Sequence, residues 1–372
     1  MDTGLHVAVA VSGGADSLAT LLLLKERGAS PLALHGIFFS HADPKKEAEA
    51  TDMRERLALV CRNLDVPLHF IDVRADFERL VIRPFVQAYA EARTPNPCAL
   101  CNASVKFGLL REAALNLGAH KLATGHYAAL LPSTDDGPPA LYQGADPSRD
   151  QSYFLSLVPG AALAEALFPL AEAPKSEVLA HLEACGLALP QPGESREVCF
   201  IDTDNYQETL PILAAKMGIP LPGPGPMLLT DNTHLGTHRG LWRHTEGQRR
   251  GLGLGWKEAL HVLAKEREGN VLRLGPRREM CARGCLCGAV NVLVDEKKWP
   301  EIVLVKSRYR ERPKEARAHI ETGFDKAPRL CIRFVNPDSA LAPGQVAALY
   351  APGELGPHRL RLLAGGLVES VE

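Results

Sequence analysis

The sequence predicts an α/β protein: a doubly wound parallel sheet, followed by a small central domain and a C-terminal β-barrel. Three observations lead there. Short apolar runs alternate with helix-length segments up to Thr124, the pattern of a parallel sheet covered on both faces. A proline- and glycine-rich tract, Ile219–Pro226, then interrupts the chain. Beyond it come short β-like runs divided by glycine turns, as in small barrels and sandwiches. A chain of 372 residues, 46% hydrophobic and 23% charged, is a folded protein of two or three domains.

The elements follow in order. Val7–Val11 reads as a buried strand, Ser12–Ser17 as a glycine-containing turn, and Leu18–Arg27 as a leucine-rich helix ending at Gly28. Leu32–Phe39 is a second strand, Lys45–Leu64 a helix and Leu68–Val73 a third strand. A helix over Asp76–Ala92 leads to a loop at Thr94–Pro97, a helix over Ser104–Leu117 and a strand at Lys121–Thr124. Ser133–Pro139 is a polar loop, Lys175–Cys185 a helix and Gly186–Glu194 a mobile segment. Ile219–Pro226 is expected to be linker, since its prolines disfavour both helix and central strand. Later β-like runs are Leu235–Trp242, Leu260–Ala264, Val271–Leu274, Ile302–Val305, Leu330–Phe334, Val346–Tyr350 and Leu360–Leu363. The expected domains are 1–210, 211–284 and 285–372.

Composition excludes several classes. The longest apolar stretches, such as Leu18–Leu24, fall well short of the ~20 residues of a membrane span, so no membrane partner is expected. A strand-like run as early as Val7 leaves no room for a leader peptide, and the expected location is the cytoplasm. Thiols there are mostly reduced. The nine cysteines therefore read as metal, redox or core residues rather than a disulfide framework. A net charge of −2 neither supports nor opposes a nucleic-acid partner; only the distribution of charge could.

Ser12-Gly13-Gly14-Ala15-Asp16-Ser17 follows a strand and opens a helix. Glycines let the backbone come close, and free amides at a helix start point at a phosphate. Ser12 and Ser17 add hydroxyl donors. Asp16 would repel phosphate unless a cation lies between them, and Mg2+ bridging nucleotide oxygens is the expected answer. The Ser-Gly-Gly-x-Asp-Ser string resembles the PP-loop of ATP pyrophosphatases, in a fold like the adenine nucleotide alpha hydrolases. That superfamily cleaves ATP between its α and β phosphates to adenylate a substrate.

Cys98 and Cys101 stand three apart in Thr94-Pro95-Asn96-Pro97-Cys98-Ala99-Leu100-Cys101-Asn102. Such a pair can share a metal or act as a reactive couple. Cys199, in Val198-Cys199-Phe200-Ile201, read singly is a buried core thiol. The ordered set of strings changes that. With Lys106-Phe107-Gly108, Ala123–Tyr127, Arg149–Leu155, Gly247–Gly253, Val305–Arg310, Pro343-Gly344-Gln345 and Gly365-Gly366, these strings resemble the bacterial tRNA-specific 2-thiouridylase (MnmA) family over nearly the whole chain. The resemblance implies ATP-dependent 2-thiolation of the wobble uridine, position 34, in tRNAs for Lys, Glu and Gln. The uridine 2-carbonyl is adenylated, and a cysteine persulfide then delivers sulfur. It implies Cys199 as persulfide carrier, Cys101 as second catalytic cysteine, and a cysteine desulfurase or sulfur relay as donor. Cys98 stands where some members carry Asp, so an acid–base role for that Asp does not carry over. Thiolate is the nucleophilic form, so a low thiol pKa is expected near the ATP site.

Cys98, Cys101 and Cys199 would also suit a 4Fe-4S cluster with one open iron. The alternative is a disulfide by which Cys101 resolves the Cys199 persulfide. The resemblance further implies ATP contacts from Phe38, Gly125 and His126, and tRNA contacts from Arg149, Asp150 and Gln151, which would hold the flipped uridine or its loop. Lys306–Arg317 holds six basic residues, among them Lys306, Arg308 and Arg310. Gln248 and Arg249 lie in a second basic group with Arg239, Arg243 and Arg250. Either group alone is as well read as a solvated face; with the resemblance both become phosphate contacts. Cys281, Cys285 and Cys287 fall outside the family strings and read as partly buried thiols without metal. The competing functions are another tRNA-modifying ATP pyrophosphatase, which would not need three thiols, and a non-catalytic RNA-binding or iron–sulfur protein on the same fold, against which the intact phosphate loop argues.

Overall fold

The computed structural model describes residues 6–132, 137–187, 189–190, 198–201, 206–337 and 341–372. The chain divides into two compact units. One gathers Met1–Val81, Cys98–Asp202 and Ala351–Leu363; the other gathers Ile82–Pro97, Thr203–Tyr350 and Ala364–Glu372.

The first unit is built on a parallel sheet. Its strands are β1 (His6–Ala10), β2 (Ser30–Ile37), β3 (Leu68–Asp72) and β4 (Lys121–Ala123). A hairpin of β5 (Ala128–Leu131) and β6 (Ala140–Gln143) follows, and β7 (Ala166–Leu167) completes the sheet. The order is β3-β2-β1-β4-β7, with every pairing parallel. The chain runs outward from β1 to β3, then returns to the other flank of β1. The reversal between β1 and β4 is where ligands settle in such sheets, beyond the strands' carboxyl ends. Helix α1 (Ala15–Glu26) buries Leu18, Leu21, Leu22 and Leu24 against Val7, Val9, Leu57 and Val60. Each such leucine contributes about 1.5–3 kcal/mol, so the start of α1 is held firmly to the sheet.

Two helix starts differ in a way that matters. Helix α2 (Pro44–Asn63) is capped by Asp43, whose Oδ1 accepts from the Lys45 amide at 2.9 Å, with proline in the first turn. Helix α1 begins after Gly14 with no side-chain cap. Its leading amides are left for a ligand.

The second unit holds a four-stranded sheet and most of a barrel, whose stretch Ala351–Leu363 is counted with the first. The sheet comprises β8 (Gly225–Leu229), β9 (His234–His238), β10 (Leu260–Glu266) and β11 (Val271–Pro276), in the order β10-β11-β8-β9. The barrel strands are β12 (Gly284–Val292), β13 (Val303–Lys306), β14 (Lys314–Thr322), β15 (Pro328–Phe334), β16 (Val346–Gly353) and β17 (Gly356–Val371). They run β12-β15-β14-β13-β16-β17, and β12 pairing with β17 closes the ring of six. Closure leaves no free edge.

Several expectations are corrected here. Pro226 belongs to β8, an inner strand, not to a linker. Its missing N–H is tolerated because the β11 register begins only at Met227, and Pro226 faces Thr237 of β9 alone. Pro97 opens a helix rather than ending a loop, so helical backbone runs over 97–116 and both Cys98 and Cys101 ride on it. The middle of that stretch, Asn102–Leu110, has the wider π turn. Helix Tyr206–Met217, which holds Pro211 within it, was not among the expected elements. Strand β14 was hidden by charge: of its nine residues only Ala316 is buried. The segments expected as a loop at Ser133–Pro139 and as mobile at Gly186–Glu194 lie partly outside the described residues.

Candidate active site

The phosphate loop closes on itself through its serines. The Ser12 amide donates to Ser17 Oγ at 3.1 Å, the Gly14 amide reaches Ser12 Oγ at 3.4 Å, and Ser17 Oγ donates to the Gly14 carbonyl at 2.9 Å. Gly13 has φ +90°, and a Cβ there would stand 2.9 Å from Met53 Sδ. Only glycine fits both demands. Gly125, beyond the end of β4, packs face to face with the loop: a Cβ would lie 2.8 Å from the Asp16 carbonyl carbon. The two strand ends at the switch point are thus in van der Waals contact.

Asp16 does have a cation beside it, but it is Lys175. Its Nζ donates to Asp16 Oδ1 at 2.7 Å, and the Tyr127 hydroxyl donates to the same oxygen at 2.6 Å. Neither partner was singled out from the sequence. Lys175 is 159 positions away, and no local pattern signals it. His126 is buried, with Nδ1 bonded to Thr124 Oγ1 at 2.7 Å and its ring between Phe107 and Phe168. Burial, and then the charge of Lys106, hold it well below the usual histidine range, so it is neutral.

Cys98, Cys101 and Cys199 come together around Lys106. Cys98 and Cys101 lie one helical turn apart on one face. Lys106 follows in the π-wound stretch, and its charge acts on all three thiols and on His126. Phe200, next to Cys199, packs edge-on against Phe77 at 5.8 Å, and Phe77 in turn meets Phe38 at 5.3 Å. The Cys199 segment is thereby tied to the carboxyl end of β2. All three cysteines are free thiols, and Cys98 and Cys199 keep exposed surface.

The expected low thiol pKa is not what the site provides. Burial raises all three, Cys101 to about 11 and Cys199 to about 12, the latter also opposed by the charges of Cys101 and Cys98. One lysine does not overcome burial and mutual repulsion. The three sulfurs are also not gathered within 4.8 Å of one another, so as they stand they do not enclose a single zinc-sized ion.

The remaining expected contacts divide by surroundings. Asp150 is buried, and its oxygens accept from Gln143 Nε2, the Gly144 amide, and the amide and hydroxyl of Ser152, all within 3.2 Å. It holds the loop rather than facing outward. Gln151 Oε1 accepts from the Tyr127 amide at 3.2 Å, and the Gln151 amide donates to the Tyr127 carbonyl at 2.9 Å. Arg149 is half-buried. In the second unit Arg249 and Arg310 are exposed. Lys306 is buried, Arg308 donates to the Glu246 carbonyl at 2.7 Å, and Gln248 spans Thr245 and Arg250. The Lys306–Arg317 run is broken up: Lys314 pairs with Glu311 and Arg317 with Glu301.

The chain matches the tRNA methyl transferase HUP domain over residues 5–203, the PRC-barrel domain of the same series over 219–276, and an aminomethyltransferase beta-barrel domain over 282–356. It is 47% identical to the tRNA-specific 2-thiouridylase MnmA of Oleidesulfovibrio alaskensis, over 99% of this chain and 100% of that one.

The chain belongs to the tRNA-specific 2-thiouridylase family.

Family members from Nitratidesulfovibrio vulgaris and Lawsonia intracellularis are 44% and 42% identical to this thiouridylase, each over 98% of it and 99% of their own length. Among solved structures, the U34-tRNA thiolase NcsA from Methanococcus maripaludis with its [4Fe-4S] cluster aligns with TM-score 0.35 and 17% identity, covering 57% of this chain and 66% of that one. As a PP-loop thiouridylase the protein is an ATP-using enzyme that thiolates tRNA. No helix among the described residues is long and apolar enough to cross a membrane.

Proposed function

We propose that the enzyme adenylates the 2-carbonyl oxygen of uridine 34 in tRNAs for Lys, Glu and Gln, then replaces that oxygen with sulfur carried on Cys199. One observation supports this above the rest. The uncapped phosphate loop contacts Gly125, which leads through His126 and Phe107 to Lys106 and three thiols, all in one compact unit. The matched domain descriptions speak of methyl transfer, the full-length relatives of thiolation. Methyl transfer needs neither an ATP loop nor thiols, so this site favours thiolation.

The uridine O2 attacks the α-phosphorus of ATP and pyrophosphate leaves, turning a poor leaving group into a good one. The terminal sulfur of a Cys199 persulfide attacks C2, and AMP departs with the oxygen. Cys101 then attacks Cys199 Sγ, closing a Cys101–Cys199 disulfide and freeing thiouridine; an external thiol reductant resets the pair. The amides at the start of α1, with Ser12 and Ser17, hold phosphate. Mg2+ arriving with ATP would offset the charge of the phosphates, with Asp16 the carboxylate placed to hold it, and Lys175 and Tyr127 keep Asp16 in place. Phe38 and His126 line the approach to ATP.

The thiol set also fits a 4Fe-4S cluster, with Cys98, Cys101 and Cys199 as ligands; such a cluster would supply an open iron able to carry an extra sulfur. The raised thiol pKa values mean that three protons must leave on binding. The tRNA phosphates are met by Arg149, Arg249 and Arg310, with Lys306, Arg308, Asp150, Gln151 and Gln248 shaping the loops behind them. Of the domains 1–210, 211–284 and 285–372, the first carries the chemistry and part of the RNA contact, and the other two contribute RNA contact. A cysteine desulfurase or sulfur relay supplies the sulfur.

The test is direct. The protein is incubated with ATP, Mg2+, a persulfide-generating system and unmodified tRNA, with and without iron–sulfur reconstitution. The digested tRNA is read for 2-thiouridine by mass spectrometry. AMP formation matched to thiouridine is the expected result. Thiouridine without AMP removes the adenylation step. No thiouridine in either arm, with ATP still bound, removes this substrate.

A further inference from the structure

We propose that Glu26, His181 and Cys185 form a binding site for a zinc-class divalent cation, joining the carboxyl ends of two helices in the ATP-binding unit. Glu26 is the last residue of α1. His181 lies in the last turn of the helix Lys175–Ala184, and Cys185 is its C-cap, one turn beyond His181. The i, i+4 spacing puts imidazole and thiol on one face, and the facing helix supplies the carboxylate.

Geometry gathers the three. One ligand atom from each lies within 4.8 Å of the other two. Zinc bonds of about 2.0–2.3 Å need ligand atoms roughly 3.3–3.8 Å apart in a tetrahedron, a small closure for side chains at helix ends. His181 Nε2 is sealed from solvent and faces Glu26 Oε1 at 3.1 Å without forming a hydrogen bond. With the ring protonated this is an ion pair; with the ring neutral, the spacing is close to that of two ligands on one zinc ion. Charge favours a cation independently. Both helices point their negative dipole ends here, and Glu26 adds a full negative charge. Lys25, next to it, turns away to the Leu64 carbonyl. Cysteine, histidine and glutamate together are zinc's usual ligands, three from protein leaving a fourth place for water.

The location has a consequence. The same two helices meet at their other ends through the Lys175–Asp16 ion pair at the phosphate loop. Helix Lys175–Ala184 spans roughly 15 Å. A cation at the far end therefore pins the helix pair that carries the loop, at a distance from the reacting atoms.

The experiment uses the full wild-type chain under reducing conditions. Zn2+ is buffered from the nanomolar to the micromolar range, and each cysteine is followed by site-resolved alkylation and mass spectrometry. Cys185 and Cys281 are both exposed, so Cys281 is the internal control. Zinc is expected to slow Cys185 alkylation tenfold or more while Cys281 stays unchanged. Both His181→Ala and Glu26→Gln are expected to abolish or sharply weaken that protection, with Cys61 still unreactive as a sign of an intact core. Equal Cys185 reactivity with and without zinc, or protection that survives both substitutions, overturns the site.

Discussion

Two close pairs of cysteines occupy opposite settings in this molecule. Cys98 and Cys101 ride one face of a helix, beside Lys106 and within reach of Cys199. Cys285 and Cys287 sit on β12, two apart and so on one side of the strand. Both are buried, with their sulfurs 3.7 Å apart. The neighbours of the first pair are a cation and a third thiol. Those of the second are Val368 across the β17 ladder and Leu330 and Ile332 across β15, together with a third thiol, Cys331, and the Glu369 carboxylate, both of which raise Cys287 further. Thiol pKa is raised in both places: by burial first at the helical site, and at Cys287 by its bond with Cys285 ahead of burial. A raised pKa therefore does not mark chemistry here. The cation beside the first pair and the exposed surface of Cys98 and Cys199 are what distinguish the helical site.

The comparison breaks most sharply at Cys199. Cys199→Ala should lower thiouridine formation by about a thousandfold or more, as loss of a nucleophile does, with ATP binding intact. Activity near wild type would move the sulfur path elsewhere. Lys106→Met comes next. Its charge lowers all three thiol pKa values, so its loss raises them further, and alkylation of Cys101 and Cys199 at pH 8 should slow by about three- to tenfold. In the wild type both thiols are almost wholly protonated at pH 8, because their pKa values are about 11 and about 12. Their alkylation rates should accordingly climb about tenfold per pH unit from pH 7 to 10. A plateau near pH 8 would show the thiolates to be stabilised after all.

The barrel pair sharpens the contrast from the other side. Cys287→Ser buries a hydroxyl in place of a thiol and should cost about 1–3 kcal/mol in denaturant unfolding, with thiolation unchanged at a permissive temperature. Loss of activity in a folded Cys287→Ser protein would give that pair a chemical role. The smallest effect belongs to Cys281, exposed and bonded only through its own turn to the Arg278 carbonyl. Cys281→Ser should shift stability by less than about 0.5 kcal/mol and leave activity alone.

Much of this was legible in the sequence. The parallel sheet and the glycine loop rest on short-range patterns, alternation of apolar runs and residues adjacent in a turn, and the proposal of Cys98, Cys101 and Cys199 rests on strings in a fixed order. The misses share a cause. Pro226 was read by its local cost, but a strand register that starts one residue later absorbs it, and the helix holding Pro211, docked through Leu210 and Ala214, was not anticipated. Basic residues at 306–317 read as one patch, yet Lys306 is buried and Arg317 is paired with Glu301.

What the sequence determined by itself is therefore the backbone of the phosphate loop, since it is written in contiguous residues, and the short strings in which the proposed thiols sit. What only the tertiary structure decided is which charge meets which. Asp16 meets Lys175 across 159 positions. Glu246 and Lys265 form a buried ion pair at 3.6 Å, with Thr94 bonded to both. The charge of Lys106, on the helical stretch after Pro97, reaches Cys199 in a turn far along the chain. Coulomb partners depend on distance in space and on the burial around them, and neither quantity is carried by local order along the chain.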